Sequence, residues 1–241
     1  MAELADAHDS KSCGSDIMGV RFPLSALMKI LGILGSIIYL YLIWRNLRDN
    51  YKSEDLVSYS WWSLLIFLVG GRLTFGIVNW GIWNDNWGNW FSFWNKSGFN
   101  YIGALIFWVL ITIRHCQKNE WKIWAFFEDV IGIMYIYLAI LMLAEAVNSK
   151  FNLFWLTLMM VWLITVAIKR LIIKKYRSFS WYLSGKKGFA FFFTNIFLGV
   201  LLAGWFYLVA KAGIILSVLP LAITLSSIIG LLILGEIGGK K

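Results

Sequence analysis

The stretch YSWWSLLIFLVGGRLTFGIVNW, Tyr59–Trp80, decides the fold class. It runs for 22 residues and carries one charge, Arg72. A helix needs about 20 mainly apolar residues to cross roughly 30 Å of hydrocarbon. Tyr59–Trp80 meets that length. Six further runs accompany it: Leu24–Trp44, Phe99–Ile113, Trp124–Val147, Phe151–Ile168, Gly188–Ala210 and Gly213–Gly235. The Phe99–Ile113 run is short and has room to start earlier, near Ser97.

Composition agrees with this reading. Of 241 residues, 60% are hydrophobic and 15% are charged, with a mean hydropathy of +0.71. Soluble domains carry about 45–50% apolar and about 25% charged residues. An ordinary soluble enzyme and a disordered chain are both excluded. The expected fold is an all-α integral membrane protein, a polytopic bundle of about seven transmembrane helices. Residues 1–22 read as a polar tail and 23–238 as a single transmembrane domain. The tail lacks the basic start and small-residue cleavage site of a removed signal peptide, so the first span is expected to act as its own insertion signal.

Lysine and arginine orient the spans. The loops after the first, third, fifth and seventh runs, with the C-terminus, hold 15 of the 22. The opposite side holds five, and Lys29 and Arg72 lie within spans. This places the N-terminus outside and the C-terminus inside. The net charge of +9 is then mostly a topology signal. It is spread over separate short loops, which does not suit nucleic-acid binding. The Lys169–Lys187 loop is basic enough to attract anionic headgroups.

Trp80, Trp83, Trp87, Trp90 and Trp94 are spaced alternately three and four apart. On a helix they share an arc of about 80°, with Asn84, Asp85, Gly88, Asn89 and Ser92 opposite. Residues 80–94 are therefore expected to form an amphipathic helix at the outer interface, where indole rings prefer to sit.

Ionisable groups inside spans are costly and usually face a cavity or a partner. Arg72 lies eight residues from Trp80, about 12 Å below the outer boundary. Gly70 and Gly71 before it allow close helix approach. An arginine there can hold a phosphate through two parallel hydrogen bonds, or pair with a carboxylate that ties the bundle together. Glu145 is the candidate for that carboxylate. Asn79 and Asn148 add amides near the same level, and Lys29 sits where it can snorkel. Arg72, Glu145, Asn148 and Asn79 form the candidate lipid or substrate site. Glu128, Asp129 and Glu236 read as interface-solvated carboxylates. Cys13 and Cys116 fall on opposite sides and are not expected to pair. His8 and His115 lie outside the runs, also on opposite sides. No metal-ligand spacing, nucleophile elbow or cofactor motif is present, so no catalytic residue, metal or cofactor is assigned.

Three motifs carry a family resemblance. They are Gly70-Gly71-Arg72-Leu73 inside a span, Ser92-Phe93-Trp94-Asn95-Lys96-Ser97-Gly98-Phe99-Asn100-Tyr101-Ile102-Gly103-Ala104-Leu105 entering the next, and Trp124-Ala125-Phe126-Phe127-Glu128-Asp129 after a basic turn. Together they resemble bacterial prolipoprotein diacylglyceryl transferase, over roughly Leu27 to Asn148. The resemblance implies a bacterial cytoplasmic membrane location and seven spans. It implies transfer of diacylglyceryl from phosphatidylglycerol to the cysteine of a prolipoprotein signal peptide. Arg72 falls on the family's Gly-Gly-Arg position and Asp129 on its inner aspartate. The family's third-span Phe-His-Gly-Gly reads Tyr101-Ile102-Gly103-Ala104 here, without the histidine. Its arginine-containing motif after span four reads Leu143-Ala144-Glu145-Ala146-Val147-Asn148-Ser149-Lys150, without the arginine. The first-span tyrosine falls at Ser25, and Phe189–Tyr207 contains no arginine. The chain is then either a transferase with a rebuilt site or a homologue that keeps the lipid pocket without the chemistry. A non-enzymatic lipid-binding or lipid-translocating protein and a small-solute transporter are the alternatives.

Overall fold

The computed structural model describes residues 24–80, 98–175, 187–208 and 214–235. They form seven α-helices: α1 (Leu24–Leu47), α2 (Ser53–Val78), α3 (Tyr101–Lys118), α4 (Ile123–Asn148), α5 (Leu153–Lys175), α6 (Phe189–Leu208) and α7 (Ile214–Gly235). No strand occurs among the described residues. The N-terminal tail with His8 and Cys13, the tryptophan segment beyond Trp80, and Glu236 lie outside them.

Five helices, α1, α2, α4, α5 and α6, have the length and apolar composition to cross a membrane. That is the make-up of a multi-pass membrane protein. In α3 the apolar run ends in Arg114-His115-Cys116-Gln117-Lys118, and this polar tail dilutes it. The last helix contributes a shorter apolar stretch, Pro220–Leu234.

The helices outrun the apolar runs, for local reasons. Glu54 and Asp55 lie in the first turn of α2, where carboxylates suit the positive end of the helix dipole. The helix therefore starts at Ser53, six residues before the apolar run. Asn100 caps α3, its side chain accepting from the Ile102 and Gly103 N–H groups, so that helix begins at Tyr101. His115 and Lys118 close its last turn. The run ending at Ile168 continues as helix to Lys175, because cations are favourable near a helix C-terminus.

Helix α4 is the hub. It packs against α1, α5 and α6, while α2 pairs with α3 and α6 with α7. In its most apolar window 72% of α4 is buried, against 17% for α1. The outward faces carry large apolar residues such as Ile37, Leu110, Leu171 and Leu225, as a lipid solvent allows.

Helices α2 and α3 run antiparallel at close range. A Cβ at Gly103 would collide with Thr74, and one at Gly70 with Phe107. Below this contact lies a buried polar network. Trp108 donates to the Tyr39 hydroxyl at 2.9 Å, and Tyr39 shares a 2.9 Å hydrogen bond with Ser63. Tyr59 shares one of 3.0 Å with Thr112. These groups tie α1, α2 and α3 together where water cannot satisfy them.

Candidate functional site

Two polar centres lie at opposite ends of this bundle. The first is where α2 finishes and α3 begins. Arg72 is 4% exposed although it is charged. Its Nη1 donates to the Gly98 carbonyl at 2.6 Å. The backbone just after Gly98 is pinned by the Asn100 N–H, which donates to the Gly71 carbonyl at 3.0 Å. Arginine and its described acceptor are thus held by the same α2–α3 contact that the glycines permit. The Phe99 ring lies where a Cβ on Gly71 would be, and stacks edge-on to Tyr101 at 4.9 Å.

Tyr101 extends the centre to α4. Its hydroxyl donates to Glu145 Oε1 at 3.1 Å. Asn148 lies three residues further along α4 and is exposed. Among the described residues no ion pair joins Arg72 to Glu145. The bundle-tying pair that the sequence offers is replaced by a tyrosine–carboxylate hydrogen bond. Asn79 turns back on its own helix, its amide donating to the Phe75 carbonyl at 2.9 Å. Lys29 is exposed, as a snorkelling lysine would be. Four residues sharing this end therefore separate into a buried arginine, a Tyr101-bound glutamate with Asn148 beside it, and a self-capping asparagine. Tyr101 is the participant that residue-type reasoning missed. Its place directly after the Asn100 cap was the available signal.

The second centre corrects a sequence reading. Glu128 is not an interface-solvated carboxylate. It is 6% exposed, and its Oε2 accepts from the Gly188 and Ala190 N–H groups at the start of α6. A helix start leaves N–H groups without partners inside the helix, and here a side chain from α4 supplies them. Asp129 accepts from the Tyr51 hydroxyl at 3.3 Å. Burial, and then the Asp129 charge, push the Tyr51 phenol well above its ordinary pKa, so it stays a donor. Lys169, counted in the sequence among the loop charges, is buried. Its Nζ donates to the Asp129 carbonyl at 3.4 Å, and Gly132 leaves the room for its stem.

His115 and Cys116 lie nearby on α3 and are also buried. The His115 ring meets Tyr59 edge-on at 5.5 Å. Among the described residues no three His, Cys, Asp or Glu side chains gather as metal ligands would.

The two centres offer different chemistry. The Arg72 end holds a buried guanidinium, a group whose planar donor fork suits a phosphate or carboxylate. The Glu128 end is a closed set of donors and acceptors from three helices and the α1–α2 turn. No family model and no curated protein matches this chain.

Proposed function

We propose that this protein binds the headgroup of an anionic phospholipid at Arg72. On this reading it is a divergent relative of bacterial prolipoprotein diacylglyceryl transferase that keeps a lipid pocket. It spans the bacterial cytoplasmic membrane seven times, with the N-terminus outside and the C-terminus inside. The observation that carries the reading is a buried arginine, seated on the Gly98 carbonyl where α2 meets α3, in a chain whose helices are apolar enough to cross a membrane. Such a charge is costly to keep in a membrane and usually marks a functional site. Guanidinium has the planar donor fork that matches a phosphate. The Gly70-Gly71-Arg72 resemblance and the lysine and arginine asymmetry of the loops support the rest.

One observation favours a catalytic version. Glu145 with Tyr101 places a carboxylate and a hydroxyl on α4 and α3, and Tyr101 lies three residues after Gly98, whose carbonyl accepts from Arg72. In the transfer the cysteine sulfur bonds to the diacylglyceryl carbon as that carbon's bond to the phosphate oxygen breaks and glycerol phosphate leaves, so it needs charge stabilisation at the phosphate and a group that takes the thiol proton. Arg72 and Glu145 are the residues that would fill these roles.

One pair of measurements tests both versions. Purified protein is assayed for retained phosphatidylglycerol by mass spectrometry and for transfer of labelled diacylglyceryl to a lipobox peptide. Arg72→Ala is run beside it. Retention by the parent, reduced about tenfold or more in Arg72→Ala, is the expected result. Transfer by the parent alone would establish the catalytic version. Equal retention in parent and variant would refute Arg72 as the headgroup ligand.

A further inference from the structure

The end of α5 divides its charges between two surfaces. Lys169 points inward and is buried beside Asp129. Arg170 and Lys174 are exposed. Residues four apart share a helix face, so these two cations stand together, one turn apart. Among the described residues neither makes an ion pair within 4 Å. The nearby carboxylates are engaged inside the bundle, Glu128 by backbone N–H groups and Asp129 by Tyr51.

Beneath these cations runs a groove of about 480 Å³ between α4 and α5. Its floor is Ile136, Leu163, Val166, Ala167 and Leu171, and Arg170 and Lys174 form its charged part. From Leu163 to Arg170 is about 10 Å along the helix. The groove is thus apolar at one end and cationic at the other. Its size falls in the range of small-molecule sites, about 300–1,000 Å³.

We propose that this groove is a second lipid site, which holds one chain of an anionic phospholipid on its apolar floor and the phosphate against Arg170 and Lys174. The occupant follows from the order of the chemistry along the groove. A zwitterionic lipid brings no net charge to two adjacent cations. A water-soluble anion has no use for an apolar floor that faces the membrane. The site is separate from Arg72, which lies at the other end of the bundle, and does not depend on the reading of that residue.

The test uses full-length protein in nanodiscs with a phosphatidylglycerol that carries a photoreactive group in its acyl chain. A phosphatidylcholine probe with the same chain is the control. Crosslinked peptides are mapped by mass spectrometry. The expected result is labelling of the α5 peptide around Leu163–Leu171 by the phosphatidylglycerol probe in preference to the control. Arg170→Gln with Lys174→Gln should weaken that label roughly thirtyfold, at about 1 kcal/mol per basic residue near an anionic surface. Ala167→Phe leaves both charges and fills the floor, so it should also remove the label. Arg72→Ala should retain it. Equal labelling by both probes would overturn the proposal. So would an unchanged label in Ala167→Phe, which would reduce the site to headgroup adsorption. Loss of the α5 label in Arg72→Ala would show one site rather than two.

Discussion

The Arg72 end and the Glu128 end both bury charge, and they do so in different ways. At the Glu128 end, one carboxylate accepts from the start of a helix, the other from a tyrosine, and Lys169 donates to a backbone carbonyl beside them. At the Arg72 end the described acceptor of the guanidinium is one neutral carbonyl. A self-satisfied cluster holds helices together. A guanidinium carries a planar donor fork, which is the shape that an anionic headgroup matches. The difference separates architecture from binding more sharply than burial alone.

The largest expected effect breaks the first half of that comparison. Glu128→Ala leaves the Gly188 and Ala190 N–H groups buried without their acceptor, and should destabilise the protein by roughly 3 kcal/mol. Glu128→Gln keeps an acceptor and should lose less than half as much. Thermal unfolding in detergent reads both. If the two variants unfold alike and close to the parent, the cluster is not holding α4 to α6.

A smaller effect is expected where the glycines set the α2–α3 distance. Gly103→Val puts new atoms against Thr74 and should cost about 2 kcal/mol as overpacking. It should also displace the Gly98–Asn100 segment from Arg72, and so lower phosphatidylglycerol retention. Loss of stability with retention intact would separate helix spacing from the arginine site.

The smallest effect belongs to the link between Arg72's neighbours and α4. Tyr101→Phe removes the donor to Glu145 and should cost about 1 kcal/mol. On the lipid-binding version it changes retention little, whereas on the catalytic version it lowers transfer. The retention and transfer assays on this one variant distinguish the two.

Much of the architecture is legible locally. Hydropathy is a property of a run of residues, and a run of about 20 matches the thickness of hydrocarbon. Each apolar run falls on one of the described helices, five of which are long and apolar enough to cross a membrane, and the Asn100 cap and the terminal charges explain why the helix ends differ from the run ends. Arg72 is conspicuous from sequence because one charge stands in an apolar stretch. Its acceptor is not, because Gly98 lies 26 residues away and meets it only once α2 and α3 pack.

Tertiary structure alone decided which way each charge points. Lys169 and Arg170 are adjacent and chemically alike, yet one is buried and the other exposed. Successive helical residues differ by about 100° in direction, and which direction is inward depends on the neighbours of the helix. Glu128 likewise looks like an ordinary carboxylate near a helix start. Its role is set by the N–H groups of α6, 60 residues away along the chain, which no local pattern announces. The sequence by itself determined the solvent, the helical class and the short list of costly charges. The packing decided which of those charges are enclosed in the bundle and which stay exposed.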